Sequence, residues 1–243
     1  MNVAAVIPAR IGSTRFPGKP LARICGKPMI QYVYEHAAAC AMIHRVVVAA
    51  DDPKIQQAVQ TFGGEVIMTS RAHRTGTDRV AEAARTLDAD IIVNIQGDEP
   101  LLPPEAVAEA IRPLLQDTAI SMSTLKTAFR PEDDPCDPNS VKVVTDTHGR
   151  ALYFSRSCIP FRRTPDMCAQ PYRHVGLYAF RREFLFTYSA LPQTPLEQSE
   201  SLEQLRALEH GHAIFVAETD YYPLGVDVPD DITRVEAALL ALR

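Results

Sequence analysis

The stretch VAAVIPARIGSTRFPGKPL, residues 3–21, decides how this chain is read. An apolar run from Val3 to Ile7, rich in β-branched residues, breaks at Pro8. The loop that follows carries Gly12, Ser13, Thr14 and Gly18 for backbone access, and Arg10, Arg15 and Lys19 for charge. A buried strand that empties into a glycine-bearing cationic loop suits a polyphosphate. Backbone N–H groups approach the oxygens, while guanidinium and ammonium groups neutralise them. The spacing is neither G-x-G-x-x-G nor G-x-x-x-x-G-K-[ST], so neither a dinucleotide fold nor a P-loop ATPase is indicated. The competing reading, a basic surface turn, leaves three cations packed between glycines and prolines with no anion to offset their repulsion.

Outward from this stretch, strand-like and helix-like segments alternate. Strands are expected at 4–8, 45–50, 65–68, 91–95 and 120–125, with amphipathic helices at 29–40, 54–62, 78–87 and 104–115. Short continuous apolar strands such as Val46–Val48 and Ile91–Val93 suit a parallel sheet covered on both faces. The alternation predicts an α/β fold, Rossmann-like and doubly wound around a mostly parallel sheet, with right-handed crossovers. In such sheets ligands sit beyond the carboxyl ends of the strands. One rim therefore collects the Arg10–Lys19 loop, Asp51–Asp52 and Gln96–Gly97–Asp98. After Ala128 the pattern changes to proline- and acid-rich loops, a hairpin from 141 to 155 and a strand over 175–180. These pieces predict a small β segment, residues 140–182, inserted in a single domain of residues 1–243. A helix over 197–208, a strand over 213–217 and a final helix over 231–242 complete the reading.

Bulk properties narrow the function. The 243 residues are 46% hydrophobic and carry a formal charge of −5, enough for a substantial core and too acidic for general nucleic-acid affinity. No apolar run reaches the length of a membrane span, and the N-terminus lacks the pattern of a signal peptide. The five cysteines, Cys25, Cys40, Cys136, Cys158 and Cys168, include no C-x-x-C pair and read as free thiols of a reducing cytoplasm.

Three further motifs bear on chemistry. In IIVNIQGDEP, residues 91–100, an apolar strand delivers Asp98 at its carboxyl end beside Gly97, which lets a ligand approach. Carboxylate and phosphate oxygens are the donors Mg²⁺ prefers, although Asp98–Glu99 also reads as a solvated turn. The segment His73–Arg79 precedes a helix, and Thr75 or Thr77 can cap it. Its free amides suit an anion or a base edge, or simply ordinary capping. Asp227 in GVDVP is either a cap for the last helix or a second carboxylate for a metal shared with Asp98.

The motifs taken together resemble one family. IPARIGSTRFPGKPL (7–21), GKPMIQYV (26–33), HRTGTDR (73–79), NIQGDEP (94–100), NSVKVV (139–144), ALYFSR (151–156), RHVGLYAF (173–180), LEQSESLEQLR (196–206) and GVDVPDD (225–231) are similar to the 3-deoxy-manno-octulosonate cytidylyltransferases, also called CMP-Kdo synthetases. The likeness covers nearly the whole chain, in family order. The resemblance implies transfer of CMP from CTP to the anomeric hydroxyl of Kdo, with pyrophosphate released and activated sugar supplied for lipopolysaccharide. It further implies a cytoplasmic, Mg²⁺-dependent homodimer whose inserted β segment contributes to the dimer contact.

The same resemblance implies the site. Arg10, Arg15 and Lys19 hold the triphosphate, and Lys19, Arg10 and Asp98 form the catalytic set. Pro8, Ala9, Arg10, Ser13, Thr14, Arg74, Gly76, Thr77, Arg79 and Gln96 complete the nucleotide contacts. Asp98 and Asp227 hold Mg²⁺. Gln96, Arg156, His174, Tyr178, Glu203 and Gln204 face the sugar acid, with Arg156 on its carboxylate. Two places depart from the family: Phe161, followed by Arg162, stands where a Trp usually follows Ile–Pro, in a chain with no Trp, and the loop over 164–171 is shorter than in some relatives. Another 2-keto sugar acid as acceptor, or a silent nucleotide-sugar sensor, are the alternatives that follow.

Overall fold

Every residue from Val3 to Ile7 is buried, and alternate side chains enter two different cores. This is what a strand covered on both faces requires. The computed structural model describes residues 1–12, 16–161, 163–164 and 170–241. Ser13, Thr14, Arg15, Arg162 and Cys168, singled out in the sequence, lie outside the described residues.

In chain order, β1 (Val3–Ala9) is followed by a 3-10 turn (Lys19–Leu21), a two-stranded ribbon of β2 (Arg23–Ile24) and β3 (Lys27–Pro28), and α1 (Met29–Ala39). Next come β4 (Arg45–Ala50), α2 (Pro53–Thr61), β5 (Glu65–Met68), α3 (Gly76–Ala84), β6 (Ile91–Asn94) and α4 (Pro104–Gln116). The second half comprises β7 (Met122–Ala128), β8 (Lys142–Thr145), β9 (Ala151–Ser155), β10 (Tyr172–Arg181), α5 (Arg182–Ala190), α6 (Pro195–Glu200), α7 (Leu205–Glu209), β11 (Phe215–Glu218) and α8 (Asp231–Ala241).

The main sheet runs β11-β7-β10-β6-β1-β4-β5. Pairings along it are parallel except at β10, which is antiparallel to both β6 and β7. Val3, Ala5, Ile7 and Ala9 pack toward Ile30, Val33, Ile55, Val107 and Ile111, on α1, α2 and α4. Ala4 and Val6 pack toward Val80, Ala84, Leu185 and Leu205, on α3, α5 and α7. The predicted doubly wound, mostly parallel sheet is what forms. A third, small cluster of Ile24, Met29, Tyr32, Val226 and Val235 anchors α8 to the β2–β3 ribbon.

Three differences from the sequence reading have physical reasons. First, β1 does not stop at Pro8. Its pairing with β4 continues to Ala9↔Ala50, whereas its pairing with β6 ends at Val6↔Asn94. Pro8, which has no N–H to donate, thus falls where one edge of the strand is already open. Second, the last β-rich piece is part of the main sheet. Only the β8–β9 hairpin stands to the side, joined to β10 at Arg173↔Lys142. Third, the single helix expected over 197–208 is broken into α6 and α7 at Ser201, whose φ is +52°. The break lets Leu202 and Leu205 both enter the second core, and it allows Arg206 to form a buried ion pair with Glu197 at 2.5 Å. α5 and the β2–β3 ribbon were not anticipated at all.

The Glu197–Arg206 pair is 6% and 5% exposed, so neither charge is served by water. Glu197→Ala is expected to lower the free energy of unfolding by about 3–5 kcal/mol, because a buried guanidinium is left without its counter-ion. Urea unfolding monitored by circular dichroism measures it; a loss below about 1 kcal/mol would mean that Arg206 finds another partner.

Candidate active site

The edge of β1 that β6 leaves open is the start of a cleft, at the point where the strand order reverses. Pro8, Ala9, Arg10, Lys19, Arg74, Gly76, Arg79, Gln96, Asp98 and Asp227, all anticipated, line it. Pro20, Met29, His73, Thr75 and Gly97 line it too. The role of Gly97 is more specific than ligand access. A Cβ there would stand 3.1 Å from the Pro8 carbonyl oxygen, so glycine lets the turn after β6 pack on β1 without pressing on that carbonyl.

Lys19 is the centre of the cleft mouth. Gly18, at φ +72°, starts the 3-10 turn that presents it. Its Nζ donates to Asp98 Oδ2 at 2.6 Å and to the Val226 carbonyl at 2.6 Å, and lies 3.4 Å from Asp227 Oδ1. The Val226 amide also donates to the Asp98 carbonyl at 2.9 Å. Two carboxylates 129 positions apart in the chain thereby converge on one ammonium (227 − 98). Asp231, the first residue of α8, accepts from the Asp227 and Val228 amides at 2.8 and 3.0 Å and so fixes the segment before the helix. The Asp227 side chain lines the cleft. No group of three or more His, Cys, Asp or Glu side chains suited to a metal occurs among the described residues. Two hard oxygen donors facing a substrate-sized space do fit Mg²⁺, which keeps waters and takes phosphate oxygens for the rest of its shell.

The floor of the cleft is braced by Asp51. Its Oδ1 accepts from the Ile11 amide at 3.0 Å, and its Oδ2 pairs with Arg79 Nη2 at 3.3 Å. Arg79 is 3% exposed and donates from Nη1 to Thr69 Oγ1 at 2.6 Å. Burial lowers its pKa, against the opposing pull of Asp51. The sequence placed Asp51 on this rim but could not show that it holds both the cationic loop and an arginine. Thr75 caps α3, accepting from the Asp78 amide at 3.1 Å, which settles the choice between Thr75 and Thr77. Thr77 is buried and accepts from Asn94 Nδ2 at 3.4 Å rather than lining the cleft.

Four of the six residues assigned to the sugar, His174, Tyr178, Glu203 and Gln204, are buried or half-buried behind the cleft. Between Val175 and Tyr178 the register of β10 against β7 slips by two residues. A regular strand would separate residues 174 and 178 by about 13 Å, yet the His174 and Tyr178 rings lie 5.5 Å apart. Gly176, within the slip, faces Gln96. Thr124 Oγ1 fills the gap, 2.8 Å from the Leu177 carbonyl, 3.1 Å from the Val175 carbonyl and 2.9 Å from His174 Nε2. Since one hydroxyl proton must serve the carbonyls, Thr124 accepts from Nε2–H, and burial pushes the His174 pKa down to about 3. The imidazole is a neutral donor-fixed ring.

Glu203 and Gln204 join this group from the α6–α7 turn, with Glu203 Oε1 and Gln204 Nε2 buried and without partners. Burial raises the Glu203 pKa to about 7, partly offset by Thr77 and Arg206. Arg156 is not brought to the cleft. Its Nε donates to the Glu200 carbonyl at 2.7 Å and its Nη1 to the Pro138 carbonyl at 3.0 Å. One titratable group escaped the sequence reading: Glu99, read as half of a solvated turn, is instead half-buried. Burial and the neighbouring Asp98 raise its pKa to about 7, and Tyr221 donates to it at 3.2 Å.

Comparison with known proteins shows the family and the fold. A family model described as Cytidylyltransferase matches residues 4–214. The chain belongs to the cytidylyltransferase family. The 3-deoxy-manno-octulosonate cytidylyltransferase of Syntrophotalea carbinolica is 55% identical over the full length of both chains. That of Geobacter sulfurreducens is 54% identical over 97% of this chain and 98% of its own. A solved CMP:2-keto-3-deoxy-manno-octonic acid synthetase complexed with CTP matches the whole of both chains at TM-score 0.95 and 45% identity. Within the family, then, the chain stands among the 3-deoxy-manno-octulosonate cytidylyltransferases. A cytidylyltransferase structure from Leptospira borgpetersenii shares the fold, at TM-score 0.68 and 19% identity over 99% of this chain and 87% of its own.

The raised pKa of Glu203 has a signed consequence. Between about pH 4.5 and 7 the unfolded chain releases this proton while the folded chain keeps it, so stability falls as pH rises through that interval. The contribution is up to about 3 kcal/mol. Glu203→Gln removes it. The difference in unfolding free energy between variant and parent should grow in the variant's favour from pH 4.5 to 7. A pH-independent difference would show that Glu203 is ionised in the folded protein.

Proposed function

We propose that this protein transfers CMP from CTP to the anomeric hydroxyl of 3-deoxy-manno-octulosonate (Kdo), releasing pyrophosphate, and so supplies activated sugar for lipopolysaccharide. The observation that carries the proposal is the convergence of Lys19, Asp98 and Asp227 at the open edge of β1, in a chain similar over its full length to proteins bearing that name.

Both reactants are anions, so the tasks are charge neutralisation and alignment. Arg10 and Lys19, with Arg15 and the hydroxyls of Ser13 and Thr14 from the same loop, take the triphosphate and the departing pyrophosphate. The Pro8 carbonyl and the Arg74–Arg79 segment meet the base. A carbonyl aimed at the cytosine amine rejects uracil, which presents an acceptor there. Asp98 and Asp227 would hold Mg²⁺, which when bound supplies positive charge at the reacting phosphate. Lys19 keeps the two carboxylates together until then. Gln96 spans the cleft and the buried group behind it, where His174, Tyr178, Glu203 and Gln204 offer donors and acceptors to sugar hydroxyls. The unpartnered Glu203 Oε1 and Gln204 Nε2 support a polar ligand there, since buried polar atoms otherwise carry a desolvation cost. Arg156 reaches an acid's carboxylate only by leaving the carbonyls that hold it. The protein acts as a homodimer in the cytoplasm, with the β segment 140–182 at the contact.

Pyrophosphate release with CTP, Mg²⁺ and Kdo tests the proposal, with UTP and sialic acid run in parallel. Release with CTP and Kdo alone is the expected result. Release with CTP and a different 2-keto acid would keep the nucleotide half and move the acceptor, as Phe161 in place of Trp allows. CTP binding without release would leave a sensor. Lys19→Met should lower kcat by roughly 10²–10³-fold, with folding checked by circular dichroism; near-parental turnover would remove Lys19 from the phosphate site.

A further inference from the structure

Outside the cleft, the 130–140 loop is tied to the end of β9 by two side chains. Lys142, 0% exposed, holds its ammonium 2.9 Å from the Asp137 carbonyl and 2.5 Å from the Arg156 carbonyl. The Arg156 guanidinium reaches back to the Pro138 carbonyl at 3.0 Å. Each tie lies beside a cysteine: Cys136 precedes Asp137, and Cys158 lies two residues past Arg156. Both thiols are free and exposed. The two thiols lie close enough for Cys158 to push the Cys136 thiol pKa up, and both lie within electrostatic reach of the Lys142 ammonium.

We propose that Cys136 and Cys158 are an oxidative-modification site that closes to a reversible intramolecular disulfide, with a small-molecule disulfide such as oxidised glutathione as co-reactant. One thiolate attacks the oxidant's sulfur and releases one equivalent of small thiol, forming a mixed disulfide. The second protein thiolate attacks the protein-side sulfur of that mixed disulfide and releases the second equivalent. Two protein thiols and one oxidant thus give one protein disulfide and two small thiols. The two electrons and both protons pass to the released thiols. Closure is intramolecular because Lys142 and Arg156 already hold the two segments together. The bond pins the 130–140 loop to β9 and keeps Arg156 on the carbonyls of Pro138 and Glu200. This consequence rests on the reading above, in which Arg156 must leave them to meet the acid.

The test uses the full-length protein incubated with oxidised glutathione, followed by thiol titration and peptide mapping under non-reducing conditions. Loss of two thiol equivalents with a Cys136–Cys158 cross-linked peptide, reversed by dithiothreitol and absent from Cys136→Ser and Cys158→Ser, is the expected result. Separate glutathione adducts on the two cysteines, or a bridge from either to Cys25, Cys40 or Cys168, would overturn the site. The cross-linked enzyme should show a several-fold higher KM for the sugar acid and an unchanged KM for CTP. An unchanged KM for the acid would overturn the pinning of Arg156. If no acid supports turnover, the peptide map still decides the disulfide, so the two readings fail separately.

Discussion

A strand with no polar side chain from Val3 to Ile7 must be covered on both faces and paired on both edges, and the architecture follows from meeting those demands. Helices on each side supply the covers. β4 and β6 supply the edges, and because they lie on opposite sides of β1, the chain leaves the strand at the point where the sheet order reverses. Pro8 sits where β6 has ended. The residue that cannot donate a ladder bond therefore marks the place where the sheet opens, and its carbonyl faces the cleft. Gly97 is part of the same constraint, since any side chain would press on that carbonyl.

Electrostatics then concentrates what composition dilutes. The chain is acidic overall, yet its cleft gathers Arg10, Lys19, Arg74 and Arg79. Each cation that is buried has a counter-ion chosen by the fold: Asp51 for Arg79, and Asp98 with Asp227 for Lys19. Such pairing keeps a cationic site folded before an anion arrives. It also means that an anion entering the cleft must compete with these carboxylates for the cations, so the site is arranged around exchangeable partners.

Behind the cleft, the slip in β10 and the break at Ser201 do similar work. Regular secondary structure would place His174 and Tyr178 far apart and turn Glu203 and Gln204 around a continuous helix. Each irregularity spends local regularity to bring polar side chains into a buried space, and the fold offsets the cost elsewhere: Thr124 satisfies the slipped strand, and the Glu197–Arg206 pair spans the broken helix. Among the described residues, seven buried side-chain atoms have no hydrogen-bond partner, and three of them, on Asn94, Glu203 and Gln204, lie in this region; the others are on His36, Glu109, Arg182 and Thr194.

Much of this was legible in residues 3–21. The apolar run specifies a doubly buried strand by its pattern alone, and the glycines and cations after it specify anion chemistry by their type. The alternation of short apolar strands with amphipathic segments determined a parallel sheet wound on both faces. Local signals could not show partners distant in the chain. Asp227 reads equally as a cap until the cluster of Ile24, Met29 and Val235 carries its segment to Lys19. Glu99 looks solvated until Tyr221 covers it, and Arg156 looks free until Pro138 and Glu200 engage it. Side-chain type and spacing settle what a segment can do; burial and long-range pairing, which depend on the whole sheet closing, decide which of those capacities the folded chain presents.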